Sequence, residues 1–137
     1  GGLWPAFEDW KRELVRINDE EARRARRAPF TVWDFSGFNT YTTEAVPAAG
    51  DQETQMRWYW ESSHYRKELG DIMLDRVLAY RAPDRKPTVD FGVPLTPANL
   101  ESHLAGIRKA HARWRAAHAA EVAEIEALAR DVLAKRR

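Results

Sequence analysis

From Thr96 to Arg137 the sequence specifies helix and carries almost nothing that would stop one. Thr96-Pro97 is a start signal: Thr suits the N-cap, and Pro suits the first helical position, where its missing N–H costs nothing. Beyond it Leu100, Leu104, Ile107, His111, Trp114, His118, Val122, Ile125, Leu128 and Val132 recur at spacings of three and four, with Gly106 as the weak point. A helix of about 41 residues is roughly 60 Å long. A compact chain of 137 residues has a radius of gyration of about 14 Å. The run therefore has to bend, break near Gly106, or project and pack on a partner.

The rest of the chain reads as shorter pieces. Residues 5–27 predict a helix, with Pro5 at its start and an apolar stripe of Phe7, Trp10, Leu14 and Ile17. Ala28-Pro29 ends it, because the residue before proline avoids the α region. Residues 30–35, Phe-Thr-Val-Trp-Asp-Phe, read as a short strand, apolar on both faces except at Asp34. Such a strand belongs inside a sheet, and no second convincing strand is visible. Its backbone groups need partners, so it is expected to pair with another chain or with a sheet encoded elsewhere. Residues 36–57 are a long polar loop, and residues 58–65 lead as a turn into a helix that starts near Lys67. Residues 81–95, with Pro83, Pro87, Gly92 and Pro94, read as a linker. The fold class expected is mostly α with one or few short strands.

Composition excludes several functions. Twenty-two Lys+Arg stand against 21 Asp+Glu, for a net charge of +1. The signs are interleaved, whereas a nucleic-acid binder shows a one-sided basic face, so no nucleic-acid partner is expected. The run Arg23-Arg24-Ala25-Arg26-Arg27 reads as the solvated last turn of a helix rather than a phosphate patch, since Asp19, Glu20 and Glu21 lie one turn upstream. With no cysteine, the chain has no disulfide, no thiolate zinc site and no thiol catalysis. It opens Gly1-Gly2-Leu3-Trp4-Pro5, without an initiator Met or a signal-peptide pattern, and is expected to be a processed product or a piece of something longer.

Glu61-Ser62-Ser63-His64 is the most informative stretch. A carboxylate three residues before a histidine can hold one ring nitrogen by a hydrogen bond and leave the other free as a general base. This is the base-and-orienter half of a Ser-His-acid constellation. By spacing alone, a surface histidine beside a carboxylate is the favoured reading. Around it, Tyr41, Trp58, Tyr59, Trp60 and Tyr65 either stack on sugar rings or gate an acyl group, or, the slightly favoured reading, pack the long loop onto the core. Ser36-Gly37 reads as a turn, not a nucleophile elbow, because Phe35 and Phe38 are bulky and a polar loop follows. His103, His111 and His118 are spaced too widely for one metal ion on one helix, so packing or interface roles are favoured, and no metal or cofactor is expected.

Residues 31–78 resemble a segment of the bacterial SGNH (GDSL-like) hydrolase superfamily, of the type found with polysaccharide acylation in the cell envelope. The resemblance is carried by Val32-Trp33-Asp34-Phe35-Ser36-Gly37-Phe38-Asn39, Thr42-Thr43-Glu44, Trp58-Tyr59-Trp60-Glu61-Ser62-Ser63-His64-Tyr65-Arg66 and Gly70-Asp71. It implies His64 as catalytic base and Glu61 as its partner, with Asp34, Trp58, Trp60 and Tyr65 near the substrate. It also implies that residues 1–80 are the C-terminal part of a flavodoxin-like α/β domain, followed by the linker 81–95 and a long helix over 96–137. The usual acid is Asp rather than Glu, and the serine nucleophile block and the oxyanion blocks are missing here. The N-terminal part of the same protein, or a second chain, would supply the serine and the rest of the sheet. The substrate expected is a carbohydrate ester, and the compartment implied is the bacterial periplasm or envelope. The alternative is a non-catalytic helical interaction module that forms a homo-oligomer through residues 97–137.

Overall fold

A computed structural model describes residues 3–135 except 49, 52, 62 and 89, so Ser62 of the Glu61–His64 stretch lies outside the described residues. Four helices and a small two-stranded sheet follow in the order α1 (Trp4–Arg24), β1 (Val32–Asp34), α2 (Lys67–Val77), β2 (Val93–Leu95), α3 (Leu100–Ala117) and α4 (Ala119–Ala134). The chain is thus mostly helical, as expected.

The strand expected to lack a partner has one. β1 pairs antiparallel with β2, matching Val32 to Leu95, Trp33 to Pro94 and Asp34 to Val93. β2 lies in the segment expected to be a linker. Its sequence hides it because Pro94 sits at its centre, a position open to proline only where a strand's N–H side needs no partner. Gly92, just before it, has a left-handed φ of 78°. A Cβ there would meet the Phe35 ring at 2.5 Å, and its carbonyl accepts from Arg76 Nη2 at 2.9 Å.

Two apolar clusters flank this ribbon. Val15, Leu95, Leu100 and Leu104 join α1, β2 and α3, with Val32 and Val93 against them. Tyr41, Leu69, Ile72 and Phe91 join the long loop to α2, with Phe35, Trp58, Tyr59 and Met73 packed on the outside. Each buried aliphatic or aromatic side chain contributes about 2 kcal/mol.

Helix α1 forms where expected, with Pro5 in its first turn, but it is rotated away from its apolar stripe. Its buried residues are Glu8, Lys11, Val15 and Ala22, one position beyond Phe7, Trp10 and Leu14. One position is about 100° of rotation. Trp10 stays 56% exposed and Ile17 44%. Ion pairs of Glu8 and Lys11 with other elements set that angle, as described below.

Helix ends also differ from expectation. α1 stops at Arg24 rather than at Ala28-Pro29, because Arg26 adopts a left-handed φ of 52°. Arg26 N–H then reaches the Arg23 carbonyl at 3.1 Å and Arg27 N–H reaches the Ala22 carbonyl at 3.0 Å, a Schellman pair. α2 ends the same way: Ala79 has φ 52°, and Tyr80 N–H donates to the Asp75 carbonyl at 2.9 Å. Thr96 does mark the start of the third helical run. Its hydroxyl accepts from Asn99 N–H at 3.3 Å while the Asn99 side chain accepts from Thr96 N–H at 2.8 Å, a reciprocal cap. The run breaks at His118 rather than near Gly106. His118 has φ −121° and ψ 41°, and its Nδ1 donates to the Trp114 carbonyl at 2.9 Å while its ring stacks on Trp114.

Both Schellman ends place a residue with a Cβ where glycine is strain-free. Ala79→Gly is expected to raise stability by about 1 kcal/mol. Gly92→Ala is expected to lower it by about 2–4 kcal/mol, from a left-handed φ combined with overpacking on Phe35. Urea denaturation at constant slope reads both, and equal midpoints for the three proteins would contradict the assignment.

Candidate functional site at the hairpin tip

Residues 58–66 form a tight hairpin rather than a simple turn. Tyr59 and Tyr65 bridge in antiparallel fashion, Trp60 N–H donates to the His64 carbonyl at 2.8 Å, and Arg66 N–H donates to the Trp58 carbonyl at 2.7 Å. Glu44 anchors its base, because its carboxylate accepts from the backbone N–H groups of Arg57 and, at 2.8 Å, Trp58. The Arg66 guanidinium lies over the Trp60 ring, 4.1 Å from its centre, and donates to the Met56 carbonyl at 3.1 Å.

The hairpin tip brings Glu61 and His64 together. Glu61 Oε1 accepts a hydrogen bond from His64 Nδ1. The same carboxylate accepts from the Ser63 hydroxyl at 2.9 Å and from Ser63 N–H at 3.1 Å. Those bonds, the Ser63 hydroxyl first and His64 second, hold the Glu61 carboxyl down at about 2. With Nδ1 committed as donor, the imidazole is fixed in the tautomer whose Nε2 lone pair is available. Among the described residues no hydrogen bond reaches that Nε2, and the His64 side chain is 80% exposed. Ser63 Oγ lies 3.2 Å from Nδ1, on the wrong side of the ring to be activated by Nε2.

Glu61, Trp60, Tyr59 and Arg66 line an open cavity of about 1050 Å³ together with Phe35, Ser36, Thr42 and Glu44. Of the residues expected near a substrate, Trp60 lines this cavity. Trp58 instead meets Tyr41 edge-on at 4.9 Å and packs against the second core cluster. Tyr65 is half exposed and covers Gly70.

Asp34 is placed elsewhere, in a buried ion network. Its Oδ2 accepts from Lys11 Nζ at 2.6 Å and from His103 Nε2 at 2.9 Å, and its Oδ1 accepts from Ser36 N–H at 2.9 Å. Lys11 Nζ also donates to Ser36 Oγ at 2.6 Å and sits over the Phe7 ring. The side chains of Lys11 and Asp34 are 4% and 5% exposed. Burial pushes the Asp34 carboxyl up, but hydrogen bonds from His103, Lys11 and Ser36 overcome it and hold the group well below the usual carboxylate range. Sequence reasoning passed over Lys11 and gave His103 only a packing or interface role. The available signal was Asp34 itself, a carboxylate on an otherwise apolar strand that requires a cation.

A second buried carboxylate does similar work: Glu8 accepts from Arg108 at 2.6 Å and from Trp4 Nε1 at 2.9 Å, so it joins α1 to α3. His111 stacks on Phe38 at 4.5 Å and His118 on Trp114 at 4.6 Å, the packing roles their stripe positions favoured. Among the described residues, no group of three or more His, Asp or Glu is arranged to hold a metal ion. Nor is any helix of the described residues long and apolar enough to cross a membrane.

No family model, no curated protein and no solved structure matches this chain.

The Lys11–Asp34 pair makes two predictions. Lys11→Met strands a buried carboxylate and is expected to cost about 3–5 kcal/mol, while Lys11→Met with Asp34→Asn together costs much less than the sum of the singles. Because the Asp34 carboxyl is depressed in the folded state, its stabilisation is present above the ordinary carboxylate pKa of about 4 and is lost as pH falls below it. Urea midpoints measured between neutral and acidic pH check both points. Strictly additive single-variant costs, or a wild-type midpoint unchanged on acidification, would contradict the network.

Proposed function

We propose that this chain carries the base-and-orienter half of a serine-dependent ester hydrolase or acyl-transfer site, of the SGNH type that residues 31–78 resemble. The observation that carries the reading is the Glu61 carboxylate on His64 Nδ1, which leaves Nε2 exposed and unengaged on a hairpin whose Trp60 and Glu61 line a large cavity. In the complete site, Nε2 takes the proton of a serine hydroxyl as its oxygen attacks the acyl carbon. The same proton then passes to the departing alkoxide, which leaves as the alcohol. Glu61 holds the ring in the productive tautomer and stabilises the imidazolium that forms. Being a glutamate, it is one methylene longer than the family's aspartate, and the i,i+3 hairpin spacing accommodates that length.

The nucleophile has to come from outside the described residues. Ser36 is the one serine lining the cavity among them, and its oxygen is tied to Lys11 rather than to an imidazole. The finer fold reading belongs to the same proposal: among the described residues β1 pairs with β2 alone, so further strands of a flavodoxin-like sheet would add along its other edge. The exposed face of Trp60 suits a sugar ring, which favours an O-acylated carbohydrate as the ester.

The test extends the reading frame upstream of Gly1. A strand followed by Gly-x-Ser or Gly-Asp-Ser is expected there, and the extended polypeptide should hydrolyse an acyl ester. His64→Ala should lower its kcat by roughly 10⁴-fold, with Glu61→Gln lowering it in the same direction. The present chain alone should turn over no ester. Turnover that survives His64→Ala, or a start codon close to Gly1 with no nucleophile upstream, would sink the proposal.

A further inference from the structure

α4 is the one helix of the described chain with no buried residue, although only five of its sixteen positions are charged and the rest are Ala, Val, Ile or Leu. Ile125, Leu128, Val132 and Leu133 are 59, 60, 52 and 64% exposed. They are not scattered. Val122, Ile125, Ala129 and Val132 advance by three, four and three residues, the seam of a two-helix coil, with Leu128 and Leu133 on its flanks. The helix is tied to the rest of the chain through its start at His118 and through Arg115, which reaches Glu126 at 2.6 Å. An isolated helix of 16 residues is marginal in water and needs a face to pack on.

The charges say which face. The first half of α4 carries Glu121, Glu124 and Glu126, and the chain from residue 130 onward carries Arg130, Lys135, Arg136 and Arg137 against Asp131 alone. A second copy laid parallel would set acid on acid and base on base. Laid antiparallel, Val122 packs on Val132 and Ile125 on Ala129 in the register that pairs the seam, and Glu121 falls opposite Lys135 of the other copy. The two Leu128 side chains then meet at the symmetry axis.

We propose that α4 is a self-association surface, and that two copies of this chain pair through antiparallel α4 helices. The interface is isologous, so it closes at a dimer. It is small, so the dimer is a weak, concentration-dependent one. The proposal is independent of the esterase reading: it places no residue in the Glu61–His64 site, and either can fail alone.

Sedimentation velocity across a concentration series is expected to show monomer and dimer in exchange. Ile125→Lys should give monomer only, with an unchanged urea midpoint for the rest of the chain, because α4 buries nothing against it. Glu121→Lys or Lys135→Glu alone should weaken the dimer about fivefold, and mixing the two variants should restore it.

Direction is read separately. The chain has no native cysteine, so Val122→Cys mixed with Val132→Cys should form a disulfide-linked dimer under oxidation, while neither variant should link to itself. Efficient self-linking of Val122→Cys would mean a parallel pair and overturn the proposal. So would a single monomeric species at a chain concentration on the order of 1 mM, or recruitment of monomeric chain to phosphatidylcholine vesicles through the same stripe.

Discussion

The Lys11–Asp34 ion pair is the contact on which the arrangement of the other elements depends. Asp34 ends β1, Lys11 projects from the middle of α1, and His103 reaches the same carboxylate oxygen from α3. Three elements far apart in sequence therefore meet at one buried oxygen. A carboxylate at 5% exposure is stable as an ion only because cationic and N–H donors surround it. Removing one donor leaves the remaining charge without compensation, so the pair is costly to break whatever it adds on balance.

That contact explains the rotation of α1. The apolar stripe of Phe7, Trp10, Leu14 and Ile17 would favour burying one face, but Glu8 and Lys11 are held on the adjacent face by Arg108, Asp34 and Ser36. Turning the stripe inward would pull two charged groups out of networks that fully engage them. The helix instead keeps Val15 in the core and leaves Trp10 and Ile17 half in water. Phe7 finds a compromise beside Trp4 and Trp10 and under Lys11.

Local signals were legible and long-range ones were not. The helix over residues 4–24, the strand around Val32–Asp34 and the helix from Lys67 all follow from proline position, β-branched runs and periodicity. The pairing of Glu61 with His64 was legible too, because both partners lie in one hairpin and three residues of spacing nearly fix their distance. β2 was not legible, since a three-residue strand centred on proline carries no propensity signal and exists only because β1 lies beside it. Propensity marks Gly106 as the weak point of the long run, whereas the break occurs at His118, whose imidazole captures the Trp114 carbonyl. Gly106 has open space around its Cβ position and simply continues the helix. The ends at Arg26 and Ala79 escaped for a related reason: each is a left-handed cap at a residue type that does not advertise one.

The hairpin that holds Glu61 and His64 shows how a flexible sequence can present a fixed histidine. None of the described residues from 58 to 65 belongs to a long strand or helix, yet the Trp58 and Trp60 backbones are both pinned, one by Glu44 and the other by the His64 carbonyl. The Glu61 carboxylate then gathers the Ser63 hydroxyl, the Ser63 N–H and His64 Nδ1 within one turn. An exposed Glu–His pair on a mobile loop would spend much of its time apart, because an exposed ion pair is worth little against side-chain entropy. Here the loop's own backbone bonds meet most of that ordering cost before the imidazole is placed. What remains variable is what approaches Nε2, and that is the atom the geometry leaves open.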